Sequence, residues 1–198
     1  MMRSVTAPGL ATLDRVWSVR TEVERVTRFV VLAAVGTVLL WAAAKVQVPF
    51  FPVPATLTTL VVVLIGAFYG SRLGSVTILA YLTEGLAGLP VFAGTPEKGI
   101  GLAYMVGPTG GYIIGYVAAA FLVGLLVERG GGRAIVAMGG AVLAANVVLY
   151  ATGLAWLGHL IGIDKAVSFG LMPFLAADAL KILIAAAITV AASRRIAR

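Results

Sequence analysis

Residues 112–127 read YIIGYVAAAFLVGLLV, a run with no charged side chain and no alternation of apolar with polar residues. In hydrocarbon the backbone has no water to bond, so only helices and closed barrels cross a membrane. A barrel strand alternates with period two. This stretch does not, and neither does TTLVVVLIGAFYG at 58–70, so both are expected as helices.

The rest of the chain agrees. Uncharged runs cover 29–44, 46–71, 99–127 and 134–163, and several exceed the roughly 20 residues that a membrane-crossing helix needs. The 198 residues are 61% hydrophobic and 12% charged, a composition that excludes an ordinary soluble domain. The formal charge of +7 does not indicate nucleic acid, because the arginines sit in short flanks of apolar segments and no RNA or DNA module fits between them. The absence of cysteine removes disulfides and thiolate metal sites.

The expected fold is an all-α integral membrane protein with six transmembrane helices at about 27–44, 55–69, 73–86, 108–127, 133–159 and 173–193. Residues 1–27 are polar for this chain and are expected as an amphipathic surface helix, with Trp17 at headgroup level, or as a disordered tail. They do not have the form of a cleavable signal peptide. Residues 28–193 form the membrane domain, and 194–198 a basic tail. The third helix is short, its charge-free part ending at Glu84, and should tilt, stop below the surface or border a cavity.

Lysines and arginines assign the sides. With a cytoplasmic amino terminus, Arg72, Arg129, Arg133, Arg194, Arg195 and Arg198 all fall inside with the arginines of the first segment. Only Lys45, Lys98 and Lys165 occupy the opposite connections, so both termini are expected in the cytoplasm. The inner links are short and glycine-bearing. Outside, VQVPFFPVP carries three prolines, and the loop between helices 3 and 4, AGLPVFAGTPEKGIGLAYMVG at 87–107, is long and apolar. Such a loop is expected to cap a pocket on the extracytoplasmic side.

Two ionisable residues stand inside the last apolar run, FLAADALKIL at 174–183. Asp178 and Lys181 are three apart and share a helix face. Facing lipid, each would cost about 2.5 to 3.5 kcal/mol at the helix centre, so the pair should point into the bundle. One reading is a salt bridge that pins helix 6, with Asn146 or Gln47 as further partners. The other is a ligand needing both an acceptor and a donor. Lone buried pairs contribute little net stability, which favours the ligand.

Asn146 in mid-helix 5 could bond a neighbouring helix or a ligand. Glu84 could reach water or a ligand. Tyr81, Phe92, Tyr104, Tyr112 and Trp156 could wall an amphipathic pocket or belong to the interface belt. His159 reads as interfacial. GPTGGY at 107–112 opens helix 4, with proline suited to a first turn.

No phosphate loop, GxSxG elbow or HExxH is present, so no ATPase, serine-hydrolase or zinc chemistry is expected, and the chain does not read as an enzyme. Neither a cofactor nor a metal is expected.

VPFFPVPATLTTL at 48–60, YGSRLGSVTILAYLTEGLAGLPVFAG at 69–94, GPTGGYIIGY at 107–116 and DALK at 178–181 resemble the BioY family, the biotin-capturing membrane subunits (S components) of energy-coupling-factor transporters. The resemblance spans about residues 28–193. It implies a six-helix substrate-binding subunit of a prokaryotic cell membrane, with a pocket near the outer face closed by the loops after helices 1 and 3. It also implies that Asp178 and Lys181 bind biotin, the carboxylate taking ureido N–H groups. Lys181 would meet the ureido carbonyl or, alternatively, the valeryl carboxylate. The implied partners are a transmembrane scaffold and two cytoplasmic ATPases, contacted through small residues on helix 1, for which Ala33 and Thr37 are the nearest match. The remaining alternatives are an S component for another vitamin, a proton-coupled carrier using Asp178 and Lys181 as a switchable pair, and an intramembrane hydrolase.

Overall fold

The computed structural model describes residues 20–131 and 135–196. Most of the expected amino-terminal segment, including Trp17, lies outside the described residues, as do Arg133 and the end of the basic tail.

Helix α1 runs Glu22–Lys45 and begins earlier than hydropathy predicts. The cause is local: the Thr21 hydroxyl accepts from the Glu24 N–H at 3.1 Å, and the Glu24 carboxylate accepts from the Thr21 N–H at 3.3 Å, a reciprocal cap that lets the helix start among charged residues. A two-stranded antiparallel ribbon follows, β1 Gln47–Val48 with β2 Ala55–Thr56. Then come α2 Thr58–Leu86, the short α3 Gly101–Met105, α4 Gly110–Leu126 and α5 Ile135–Ile161. Helix α6, Ile163–Gly170, and a 3-10 turn, Met172–Phe174, lead into α7, Leu175–Ile196.

Among the described residues five stretches are long and apolar enough to cross a membrane, where hydropathy predicts six. The difference lies in α2, which contains both the second and the third expected helices. At Gly70 the backbone has φ 80° and ψ 177°, a region essentially reserved for glycine. A Cβ placed on Gly74 would lie 3.2 Å from the Gly66 Cα. Eight residues along a straight helix are about 12 Å apart, so the arms 58–69 and 71–86 fold back on one another. At roughly 1.5 Å per residue they measure about 18 and 24 Å, each short of a 30 Å hydrocarbon core.

The second arm starts on a borrowed cap. The Glu128 carboxylate, beyond the end of α4, accepts from the Ser71 N–H at 2.7 Å and from its hydroxyl at 2.9 Å. Helix N-termini leave backbone N–H groups without intrahelical partners, and an anionic acceptor suits them. The approach is close enough that a Cβ on Gly124 would sit 2.3 Å from the Ser71 nitrogen. Around this joint α2 packs against α1, α4 and α7, while α5 bridges α4 to α6 and α7. Leu40, Val62, Ile78, Val123, Met138 and Leu157 fill the buried centre.

The last span also differs from expectation. Residues 163–170, read as connection, form α6, entered through Gly162 at φ 87°. That left-handed residue turns the chain back against the end of α5, and Pro173 sits in the 3-10 turn instead of opening a long helix.

Gly70→Ala should lower the thermal midpoint of the detergent-purified protein by the equivalent of about 1–3 kcal/mol, the range for a residue forced into a sparsely populated backbone region. Gly124→Ala should also lower it. Gly139→Ala, where an added methyl meets open space, should leave the midpoint unchanged or raise it.

Candidate functional site

The side of α7 that faces the bundle carries Asp178 and Lys181, with Phe174 in the 3-10 turn just before it. Asp178 is only 6% exposed. Its Oδ1 accepts from Lys181 Nζ at 2.9 Å, one helical turn further on, and its Oδ2 accepts from the Tyr150 hydroxyl of α5. Lys181 also donates to the Thr59 hydroxyl, at 3.0 Å, from the first arm of α2. Three helices thus meet at one ion pair.

The pair lies in the wall of a half-open cavity, whose space of about 360 Å³ between the lining atoms includes solvent at its mouth. Thr56, Thr59, Tyr112, Tyr150, Asp178 and Lys181 supply its polar lining, and Val53, Pro54, Leu149 and Phe174 much of the apolar lining. This is the usual make-up of a small-molecule site: apolar walls with a few polar groups at fixed positions. Phe50 meets Phe174 edge to face at 5.9 Å, which ties the ribbon after α1 to α7 beside the cavity.

The sequence-predicted residues divide. Asp178, Lys181 and Tyr112 line this cavity together. Asn146 donates to the Val142 carbonyl of its own helix at 3.0 Å and lines a smaller adjoining hollow, which shares Thr59 and Lys181 with the main cavity. Gln47 pairs with Thr56 in the ribbon and lies in neither lining. Glu84, Tyr81 and Phe92 are not in either lining.

Tyr81 and Phe92 instead hold the loop 87–100. Tyr81 donates to the Val91 carbonyl at 2.9 Å, and the Phe92 ring is edge to face with Tyr81 at 5.4 Å and stacked on Tyr104 at 5.0 Å. Tyr104 donates to the Ala93 carbonyl at 2.8 Å, and burial pushes its pKa above the ordinary phenol value, which keeps it a donor. Lys45, the last residue of α1, completes the anchorage: Nζ donates to the carbonyls of Pro90, Phe92 and Thr95 and to the Thr95 hydroxyl, at 2.9 to 3.2 Å. Four acceptors around one ammonium bind this loop to the end of α1. Residues 53–56, from the loop after α1, line the cavity, and no residue of 87–107 does.

Sequence reasoning did not single out Thr59, Tyr150 or Lys45 for these positions. Thr59 and Tyr150 carry no local signal, since nothing in their spacing points to residues of another helix. The charge count treated Lys45 only as a topology marker.

On α1, Thr37 is 5% exposed and donates to the Ala34 carbonyl at 3.1 Å, while Ala33 is half-buried. A partner could not reach Thr37 without opening the bundle, which corrects the expected small-residue contact face. The outward face carries Val30, Ala34, Val38 and Trp41.

Known proteins share this sequence and architecture. The model of the BioY family matches residues 13–198. A probable biotin transporter BioY of Pyrococcus horikoshii is 39% identical over 160 residues, covering 81% of this chain and 88% of its own length. The biotin transporter BioY of Thermotoga maritima is 36% identical over 162 residues, covering 81% and 93% respectively. In fold, the chain resembles the crystal structure of the S-component for biotin from an ECF-type ABC transporter with a TM-score of 0.74, at 24% identity, over 87% of this chain and 94% of that one.

Replacing Lys45 by methionine keeps the length of the side chain and removes the donor. Trypsin should then cut after Lys98 in the exposed 96–98 segment several times faster than in the wild type, with helical content unchanged. Equal cleavage rates would mean that the ammonium does not fasten the loop.

Proposed function

The chain belongs to the BioY family, and on that premise we propose that it captures biotin as the substrate-binding S component of an energy-coupling-factor transporter in a prokaryotic cell membrane. The observation that carries the reading is the Asp178–Lys181 pair, buried in the bundle yet opening on a cavity. A cyclic urea presents N–H donors to a carboxylate and a carbonyl oxygen to an ammonium, and the thiophane ring and valeryl chain suit Val53, Pro54, Leu149 and Phe174. Within the protein the two charges satisfy one another, so a ligand joins a preorganised network and does not have to bring together separated charges. Lys181 to the ureido carbonyl is the pairing this network favours, since the ammonium and the carboxylate act on neighbouring atoms.

The transporter reading assigns binding and uptake to this chain, not catalysis. Energy comes from elsewhere: the partners are a transmembrane scaffold and two cytoplasmic ATPases, with the outward face of α1 as the surface available to a neighbouring helix.

The polypeptide crosses the membrane six times in this proposal, the two arms of α2 each counting as one passage, with both termini cytoplasmic. The Ser71–Glu128 joint supports it by bringing Arg72 and Arg129 to one end of the bundle. Lys45, with the 90–95 loop, belongs to the other end. The preceding segment 1–27 and the basic tail 194–198 would then both meet the inner surface.

Purified protein should bind labelled biotin, and Asp178→Asn and Lys181→Ala should each weaken it by about two orders of magnitude or more, because removing one partner leaves the other charge buried and unpaired. Undiminished affinity in both variants would reduce the pair to a structural salt bridge. Substrate-driven proton uptake that disappears in Asp178→Asn would instead favour the coupled carrier.

The chain has no native cysteine, so single cysteines can report its sidedness. A membrane-impermeant maleimide applied to intact cells should label a cysteine at position 98 and not one at position 129. The reverse pattern would invert the proposed topology.

A further inference from the structure

Tyr112 and Tyr150 meet edge to face at 6.2 Å in the cavity wall, and their hydroxyl groups are committed differently. Tyr112 donates to the Gly170 carbonyl at 2.9 Å, a bond from α4 to α6 that spends its proton on the backbone. Tyr150 donates to Asp178 Oδ2. An ionised carboxylate only accepts, so the direction of this bond is fixed and the single phenol proton is taken. The Tyr150 oxygen can therefore act toward an occupant of the cavity only as an acceptor.

Lys181 gives two of its three N–H groups to Asp178 and Thr59, which leaves one donor. Each Asp178 oxygen takes one bond and retains capacity for another. Beside the ion pair the cavity wall thus offers two kinds of acceptor, the Tyr150 phenol and the carboxylate, with an ammonium donor bonded to the carboxylate. A ring that carries N–H, C=O and N–H in succession matches that set.

Resting on the biotin reading above, we infer that Tyr150 is a specificity-determining residue that accepts one ureido N–H directly, while Asp178 accepts the other and Lys181 donates to the carbonyl between them. Because the hydroxyl is locked by Asp178, it cannot turn round to donate. A ring with a lone pair or a methylene in place of that N–H leaves the phenol oxygen without a partner, and a site built around a buried polar group discriminates strongly against such an isostere.

The test is a set of competition measurements on the purified full chain against labelled biotin. The ligands are biotin and two lactam analogues, each with one of the ureido N–H groups replaced by CH2. The proteins are the wild type, Tyr150→Phe and, as a control outside the cavity lining, Tyr81→Phe. Phenylalanine keeps the edge-to-face ring contact and deletes only the oxygen. Tyr150→Phe should weaken biotin by about tenfold more than it weakens one of the two analogues, because that analogue has already lost the same bond. Tyr81→Phe, which lies in neither cavity lining and deletes only the bond to the Val91 carbonyl, should change stability without changing the ratios among the three ligands.

Equal weakening of all three ligands by Tyr150→Phe would overturn the inference, since the hydroxyl would then act only by holding Asp178. Absence of biotin binding in the wild type would overturn the biotin reading together with it. Tyr150→Met removes the same oxygen and supplies the same comparison if the phenylalanine variant does not accumulate.

Discussion

A carboxylate and an ammonium inside a lipid-surrounded bundle must satisfy one another and their remaining bonding capacity from within the protein. Asp178 and Lys181 do so through one mutual bond and through hydroxyls on two other helices, Tyr150 on α5 and Thr59 on the first arm of α2. That requirement draws α2, α5 and α7 to a common point. Close apolar packing would bring helices together without specifying which residues meet. A buried charge is more demanding, because leaving either partner unbonded costs several kcal/mol. The hollow beside the pair is where the bonding capacity that the protein does not use is available to a ligand.

The two loops over this end of the bundle have unequal tasks. The segment after α1 contributes 53–56 to the cavity wall and leaves Phe51 88% exposed at its tip. The longer loop, 87–100, is held by Lys45, by Tyr81 and by Tyr104, with Val91, Phe92 and Ala93 buried beneath it. Length and apolar composition suggested a cap over the site. In the fold that composition instead joins the common core, and no residue of 87–107 lines the cavity. At the other end, Glu128 secures the reversal at Gly70, so each end of the bundle carries one joint in which a charged side chain bonds the backbone of a distant segment.

Much of the site was legible. The last helix carries two ionisable residues at a spacing that can only put them on one face, and the cost of exposing them to lipid directs that face inward. Tyr112 also reaches the cavity. Asn146, although its helix was read well, bonds its own backbone and looks into the neighbouring hollow. Tyr81 and Phe92 read as walls of a ligand pocket or as interface aromatics, since nothing in their spacing separates either role from that of a loop anchor. Thr37 has the size expected of a helix-contact residue, but its azimuth on α1 turns it toward the interior.

Residue order alone determined the membrane class, the approximate place of each apolar segment and the inward pair on α7, because hydropathy and helical period are local properties. Tertiary structure decided which polar groups meet. Lys181 finds Thr59 across 122 positions, and Lys45 closes on carbonyls 45 to 50 residues away. Backbone period tells which way a side chain points along its own helix, whereas the partner it reaches depends on how the helices are rotated and stacked. That arrangement is set by the packing of all of them at once.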